Sequence, residues 1–501
     1  MNFGETRVRS SAHVAHDLAA AAFAITVSYT LFYLIYNVWF HPLKDFPGPL
    51  LARSSLLWRI IHSTRGRMHL EIQAQHRRYG SVIRVSPNEL SFASASSFKA
   101  IYGHPPSGQA IPTKDEFYDM YGAAHNEGCI GSERDPQKHN RMKRSLANAF
   151  STRALVEQEP IISNCVDMFL EKVDSMPDAR TKGLDMTHWL EMVAFDILGE
   201  MSFGESFGAV ESGKPHFWSE LVVRHVFVAT VLDNLRRYPS LVTLGKWVLP
   251  WLTTSVKNKH SGYTRAKVQK RLESKTDRKD FLTNIIQKVE SGEVSHEELV
   301  GHASTLVIAG GETVATEIAG MIYYLTKNPK VYERLSRDIR QAFKSYSEIT
   351  SAASQRLPYL QAVIEEGLRM YPSGALGFPR KSPGIRVDGH WVPQGVEIYT
   401  SSWTTHHDPQ YFHEPESFIP ERWIDSDCTD TKEASQPFSL GPRGCLGRNF
   451  AYVEMNLILS KMLWRYDIEL VNQEVDLPGQ GRMHVMWWKP PMYIRFLPRG
   501  S

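Results

Sequence analysis

Cysteine is scarce in this chain: Cys129, Cys165, Cys428 and Cys445 are the only four among 501 residues. So few thiols over that length exclude a disulfide scaffold. No Asn-x-Ser/Thr sequon occurs either, and both absences fit a catalytic body on the cytosolic side. Charge of one sign is also lacking. The 57 Lys and Arg are nearly matched by 54 Asp and Glu, which leaves +3 with His neutral. So weak a surplus argues against nucleic acid as a partner. No repeat period and no low-complexity tract appears. Hydrophobic residues make up 42% and charged residues 22%, which excludes disorder as the main theme.

What the chain does have is an uncharged run near its start. Leu18 to Phe40 carries no charged residue, and a helix of about 20 residues crosses the hydrocarbon core of a bilayer. Tyr33, Tyr36 and Trp39 cluster toward its C-terminal end, where amphipathic rings favour the interface. A cleaved signal peptide would have a shorter apolar region followed by a small-residue cleavage site, which is missing here. The run therefore reads as a membrane anchor, residues 18–40. Residues 1–17 carry Arg7 and Arg9 against Glu5 and Asp17, whereas residues 41–67 carry Lys44, Arg53, Arg59, Arg65 and Arg67 against Asp45. The positive-inside rule puts residues 1–17 in the lumen and the body, 51–501, in the cytosol. Between them, residues 41–50 hold His41-Pro42-Leu43 and Phe46-Pro47-Gly48-Pro49. Prolines this dense forbid a helix and predict a stiff extended hinge.

The body reads as one large domain, mainly α with small β-sheets. Helical patterns dominate from 136 to 372, and short β-type stretches fall near 82–92, 385–401 and 482–496. Ser295-His296-Glu297-Glu298 has the form of a capping box. The next proline is Pro329, so the spacing predicts a helix of about 32 residues, roughly 48 Å long. Its middle runs from apolar Leu306-Val307-Ile308-Ala309 into Gly310-Gly311-Glu312-Thr313. Two glycines inside a helix cost about 1 kcal/mol each relative to Ala. Either a flat ligand approaches closely there or a neighbouring helix packs tightly.

The chemistry concentrates in Phe438-Ser439-Leu440-Gly441-Pro442-Arg443-Gly444-Cys445-Leu446-Gly447-Arg448. A glycine-rich loop runs into a helical pattern with Cys445 at the junction. Backbone N–H groups at a helix N-terminus favour an anion, which predicts a thiol of lowered pKa. A thiolate is either a nucleophile or a metal ligand. A nucleophile needs a neighbouring base, zinc needs companion ligands in close spacing, and no CxxC or HxxxH is present. A single thiolate suits haem iron. The glycines do not fit a dinucleotide fingerprint, since the G-x-G-x-x-G spacing fails.

With these residues in view, the chain resembles the cytochrome P450 superfamily. The loop matches F-x-x-G-x-R-x-C-x-G at Phe438, Gly441, Arg443, Cys445 and Gly447. Ala309 to Thr313 resembles the family's oxygen-activating segment, Glu366-Gly367-Leu368-Arg369 matches E-x-x-R, and Pro420-Glu421-Arg422-Trp423 matches the segment that follows it. The resemblance covers about residues 42–500 and implies a cytochrome P450 haem domain behind a transmembrane helix. It implies haem b with iron ligated by Cys445, and a structural lock between Glu366, Arg369 and Arg422. It implies haem contacts from Arg443 and Arg380, and from His139 and Lys143 in a W/H-x-x-x-R pattern where lysine replaces arginine. Thr313 offers a hydroxyl that holds a water, and Glu312 feeds a proton relay. A second hydroxyl found after this threonine in many relatives is Val314 here.

The resemblance also implies partners. No flavin or nicotinamide fingerprint occurs, so electrons come from a separate protein. The anchored form implies a single-pass protein of the endoplasmic reticulum membrane, served by NADPH-cytochrome P450 reductase, with cytochrome b5 as a second donor. Lys138, Arg141, Lys143 and Arg144 offer a basic docking face. The hinge motif and Ala149-Phe150-Ser151 look most like filamentous-fungal members of secondary metabolism, including the isotrichodermin C-15 hydroxylase group. Expected substrate contacts are 104–130, 205–240 (with Phe217, Trp218, Val226, Phe227 and Val228), Leu306, Ala309, Ala375 to Phe378, and Val485 to Met486. These are largely apolar, which implies a lipophilic substrate arriving from the membrane. The expected reaction is hydroxylation or epoxidation of a lipophilic natural product. The alternatives are oxidative coupling, desaturation or ring closure at the same haem, and a membrane-anchored cysteine acyltransferase or hydrolase without haem.

Overall fold

A computed structural model describes residues 11–105, 108–122, 127–238, 250–274 and 278–499. Arg7 and Arg9, parts of 104–130 and 205–240, and the side chains of Trp218 and Val226 lie outside the described residues. The fold is mostly helical with small sheets.

Helix α1, Ser11–Ile35, opens the described chain and passes into a π-helical turn, Tyr36–Phe40. Ala15–Phe40 is apolar enough to cross a membrane, with mean hydropathy 1.9 and none of its apolar window buried. The segment after it differs from the expected hinge. Leu43 is fully buried, and the buried Arg84 guanidinium reaches back to the segment. Arg84 Nη1 donates to the carbonyls of Asn37 (2.8 Å) and Leu43 (3.3 Å), while its other nitrogens hold the Pro87 carbonyl. Asn37 in turn donates to the Ser54 carbonyl at 2.9 Å. The prolines do forbid a helix there, but buried hydrogen bonds weld the joint to the body.

The largest sheet has the order β1-β2-β8-β5-β3, from β1 (Val82–Ser86), β2 (Glu89–Phe92), β3 (Thr113–Lys114), β5 (Arg380–Lys381) and β8 (Glu397–Thr400). Only the β2–β8 pairing is parallel within it. A second sheet has the order β4-β12-β9, from β4 (Leu184–Asp185), β9 (Tyr466–Leu470) and β12 (Tyr493–Pro498). Hairpins pair β6 (Ile385–Val387) with β7 (His390–Val392) and β10 (Arg482–Met483) with β11 (Trp487–Trp488). The three predicted β-stretches are present. Strands β3, β4 and β5 are two residues each, too short for an alternation to show.

Six further helices place the site: α2 (Pro136–Ala147), α3 (Met186–Phe203), α4 (Phe217–Leu235), α5 (His296–Lys327), α6 (Pro358–Met370) and α7 (Arg448–Arg465). Asp135 caps α2 by accepting from the backbone N–H groups of Gln137 and Lys138, with Pro136 at the first helical position. Ser295 caps α5 through the Glu298 N–H at 3.0 Å. The second arm of the capping box is spent elsewhere, because the Glu298 carboxylate pairs with Arg141 and with His302 Nε2. The predicted length and ends of α5 are those observed.

The two mid-helix glycines of α5 face α3. A Cβ on Gly310 would stand 3.0 Å from the Leu198 side chain, and one on Gly311 would stand 2.9 Å from the Phe195 ring. Tight packing against α3 accounts for the missing side chain at both positions.

Candidate functional site

The cysteine loop is built by close approach of two backbones. Gly441 has φ +66°, and a Cβ there would stand 2.2 Å from the Tyr102 carbonyl oxygen. Only glycine fits both demands. The Cys445 N–H donates to the Phe438 carbonyl at 2.8 Å, which closes the loop just before α7. The Phe438 ring lies tilted against Tyr452, with centroids 5.5 Å apart, and the Arg448 guanidinium is 5.8 Å from its centroid. Gly447 lies beside the cysteine, since a Cβ on it would meet the sulfur at 4.0 Å. Cys445 keeps open surface. Its thiol pKa is raised, first by desolvation, against the pull of the Gly447 and Arg448 N–H groups and the charges of Lys143 and Arg448. The expected lowering is therefore corrected. The helix-terminal N–H groups are in place, but desolvation of the charged form outweighs them.

A cluster of cations lies beside the loop. Arg443 donates to the carbonyls of Glu133 (2.8 Å) and Arg134 (2.7 Å). Arg380 donates to the Tyr118 hydroxyl at 2.9 Å and lies over the Tyr102 and Tyr118 rings. Lys114, which the sequence reading did not single out, donates to the carbonyls of Ile130 (2.9 Å) and Gly131 (2.6 Å). Lys114 and Arg380 are direct partners across β3 and β5, and like charges so placed repel. Among the described residues none of the three forms an ion pair. Burial and then Arg380 push the Arg443 pKa down to about 10. Burial, Arg443 and Arg380 push Lys114 down to about 7. The buried His139 falls to about 3 through burial, Arg443, Lys114 and Lys143. An anion of more than one charge would relieve this repulsion.

Lys143 takes a different place from the one its spacing suggested. Its ammonium donates to the carbonyls of Pro442 (2.8 Å) and Gly444 (3.4 Å), so it braces the cysteine loop instead of joining the cations as an anion contact. His139 and Lys143 do share a face of α2, but that face meets two different neighbours. The basic docking face is correspondingly smaller than expected: Lys138 and Arg144 are exposed, while Arg141 pairs with Glu298.

The middle of α5 is buried except for an open stripe. Leu306, Gly310 and Thr313 are half-buried and Ala309 is exposed, a three-and-four spacing that marks one helix face. Thr313 Oγ1 donates to the Ala309 carbonyl at 2.7 Å, which leaves its oxygen lone pairs free to accept a bond. Glu312 faces away from this stripe. Its carboxylate pairs with Lys489 and accepts from the Thr316 hydroxyl at 3.1 Å. Burial raises its pKa to about 7, against the pull of Lys489. Val314 is buried. Phe378, Val485 and Met486 are half-buried. Ala375 is 0% exposed.

Beneath the site, Glu366 accepts from Arg369 Nη2 (2.7 Å) and Nε (2.9 Å), from Arg422 Nε (3.1 Å) and from the Trp423 indole (2.9 Å). Arg369 also holds the carbonyls of His406, Pro415 and Ser417. The three motif residues meet at one buried point. Burial alone would raise the Glu366 carboxyl, but Arg369 and Arg422 outweigh it and hold the pKa below the usual range.

A helical body with small sheets, an open cysteine in a glycine loop and a long helix with one open stripe define a known class. The chain belongs to the cytochrome P450 family, whose description matches residues 47–496. It is 57% identical over 484 residues to Cytochrome P450 monooxygenase ORF9 of Penicillium roqueforti, covering 96% of this chain and 95% of the relative. It is 50% identical over 461 residues to Cytochrome P450 monooxygenase BOT4 of Botryotinia fuckeliana, covering 92% and 88%. It is 35% identical over 482 residues to Trichothecene C-15 hydroxylase of Fusarium sporotrichioides, covering 94% and 96%. The family is one of haem-thiolate enzymes that use redox-partner proteins and act on lipophilic substrates. The residues present fit that group. Cys445 offers one soft ligand, the described residues hold no cluster of three His, Cys, Asp or Glu for a self-sufficient metal site, and the unpaired cations suit a ligand with two carboxylates.

Proposed function

We propose that the chain is a haem-thiolate monooxygenase that hydroxylates or epoxidises a lipophilic natural product in fungal secondary metabolism. Haem b is ligated by the Cys445 sulfur. When bound, the haem supplies oxygen activation, with the thiolate favouring O–O cleavage. Arg443, Arg380 and Lys114 hold its propionates, with His139 packed behind them. Phe438 and Gly447 shape the loop, and Lys143 braces it. Glu366, Arg369 and Arg422 keep the underlying fold in register. Thr313 holds a water at the open stripe of α5, and Glu312 supplies a proton. Electrons come from NADPH-cytochrome P450 reductase, with cytochrome b5 as a second donor. Residues 18–40 anchor the enzyme in the endoplasmic reticulum membrane, and residues 51–501 form the cytosolic haem domain.

The observation that carries this reading is the cation cluster beside the cysteine loop: Lys114 opposite Arg380, with Arg443 two residues before Cys445 and, among the described residues, no ion pair to any of the three. The name of the Fusarium relative supports hydroxylation as the reaction. The test has two parts. The reduced protein should give the carbon monoxide difference spectrum of a haem thiolate, and Cys445→Ala should lose it. With reductase and NADPH, the product should gain one oxygen. A thiolate-type spectrum in Cys445→Ala, or a product lighter by two hydrogens, overturns the corresponding half.

A further inference from the structure

Glu317 lies on α5 four residues after Thr313, and so on the face that carries the open stripe. Unlike Leu306, Ala309, Gly310 and Thr313 it is buried, at 5% exposed. What covers it is the chain that leaves α6. A Cβ on Gly367 would stand 2.3 Å from the Met321 side chain, and one on Gly320 would stand 2.9 Å from Cβ of Tyr371. The Ser373 N–H then donates to Glu317 Oε1 at 2.8 Å. Met321 against Gly367, Gly320 against Tyr371 and Glu317 against Ser373 trace a chain that runs back along α5 toward Thr313. There it turns. The Gly377 N–H donates to the Gly374 carbonyl at 3.1 Å, and the Trp403 N–H to the Ala375 carbonyl at 2.9 Å.

The turn is held to the body elsewhere as well. The Pro372 carbonyl accepts from the Trp487 indole at 3.0 Å, and the Phe378 N–H donates to the Tyr102 hydroxyl at 3.2 Å. Of these bonds, that of Glu317 is the one that joins the turn to α5. Ser373, Leu376 and Phe378 stay half-buried, so the turn ends at an open edge and not in the core. An acid is an unusual choice for holding one N–H. Its second oxygen has no hydrogen-bond partner among the described residues. Burial pushes the Glu317 pKa up to about 8, against the pull of Ser373, so near neutral pH the group is an uncharged acid.

We propose that Glu317 is a positioning residue that sets specificity: by holding Ser373 it fixes the turn 373–378 across the end of the α5 stripe, where Leu376 and Phe378 form an apolar end wall that limits the length of lipophilic substrate the site admits. This deepens the monooxygenase reading and rests on it, since that reading makes the stripe the substrate side. An amide oxygen in place of the uncharged acid serves the same bond. A side chain without an acceptor leaves the Ser373 N–H unpaired and frees the turn to shift.

The experiment titrates 1-alkylimidazoles, from methyl to dodecyl, into the haem-loaded full chain and its Glu317→Gln, Glu317→Leu and Ser373→Pro variants. Each protein is first checked for the carbon monoxide difference band. The imidazole nitrogen binds haem iron and shifts the haem absorption band, so dissociation constants are read without turnover. In the unaltered protein each added methylene should tighten binding about fourfold while the tail finds apolar contact. The gain should stop where the tail meets the wall. Glu317→Leu should move that break to longer tails, and so should Ser373→Pro, which removes the N–H and leaves the carboxyl. Tails just past the original break should then bind about fourfold tighter per methylene. Glu317→Gln should keep the break in place, and 1-methylimidazole should bind all four proteins alike.

A residue that merely cements the fold would leave the break in place in Glu317→Leu while the unfolding temperature falls, and that result overturns the proposal. A break that moves as far in Glu317→Gln as in Glu317→Leu overturns it too, as does an unaltered protein with no break. If Glu317→Leu does not fold, Ser373→Pro decides alone. An unaltered protein lacking the carbon monoxide band would instead sink the haem reading.

Discussion

Gly311→Ala separates helix packing from ligand approach. A Cβ at this position lands 2.9 and 3.0 Å from two ring atoms of Phe195, and Phe195 is 2% exposed. A flat ring in a closed core cannot swing aside, so the added methyl overpacks the α3–α5 contact, at a cost of about 1–3 kcal/mol. Replacing a helical glycine by alanine returns about 1 kcal/mol. The net expectation is a loss of about 0–2 kcal/mol. Gly310→Ala is the internal control. Its methyl meets the two terminal carbons of Leu198 at 3.0 and 3.1 Å, and a leucine end can change rotamer. Gly310→Ala should therefore be neutral or slightly stabilising. The assay is thermal unfolding of both variants, with haem content read from the carbon monoxide spectrum of the same samples. Haem content should stay unchanged in Gly311→Ala, and Phe195→Leu in the same chain should recover the lost stability. Normal unfolding with lost haem in Gly311→Ala would refute the packing argument and support the ligand reading of the glycine pair.

Other expectations follow from the same geometry. Thr313→Ala should keep haem and substrate binding but lose about tenfold in coupling of NADPH to product, since a water can partly replace the hydroxyl; peroxide release measured beside product checks it. Arg369→Leu strips a buried carboxylate of its main partner and should cost about 3–5 kcal/mol, seen as a lower unfolding temperature and poor haem retention. The Glu366 carboxyl pKa is held low in the fold, so the stability it contributes is present above its unfolded pKa. That stability vanishes as pH falls through the folded value, and acid-unfolding curves should show a shallower slope in Arg369→Leu. Removing residues 1–40 should release the protein from membranes and leave the haem spectrum intact. It should also cost about 1.5–3 kcal/mol, because the Arg84 guanidinium loses the Asn37 carbonyl, which equilibrium unfolding of the truncated chain measures.

Much of the site was legible because its residues lie in contiguous patterns. Phe438 to Gly447, Glu366 with Arg369, and the ends of α5 each declare themselves within a few positions. What escaped depends on pairing across the chain. Lys114 sits in a two-residue strand, and its significance appears only in its register with Arg380. Lys489 reaches Glu312 across 177 positions, with no local pattern to announce it. The bonds of Lys143 to the cysteine loop escaped for a different reason: the i, i+4 spacing with His139 fixes a helix face but not which neighbour that face meets. Cys445 shows the same limit in its electrostatics. Helix position can be read from sequence, but the desolvation that the surrounding fold imposes cannot, and here desolvation sets the direction of the pKa shift.

If Ala15–Phe40 crosses a membrane, as its apolar length allows, the Arg84 joint makes that membrane a reference plane for the body. The Asn37 and Leu43 carbonyls are both held by one buried guanidinium, so a swivel of the body beneath this helix would have to break those bonds. Rotation of the spanning helix is transmitted to the whole molecule, and with it the compass bearing of every opening relative to the lipid surface. One residue inserted into the helix before Tyr36 would turn the body by about 100°, since 3.6 residues make a turn. The exposed apolar side chains Phe227, Val228 and Leu232 of α4 would then face a different direction, although no residue of the site had moved.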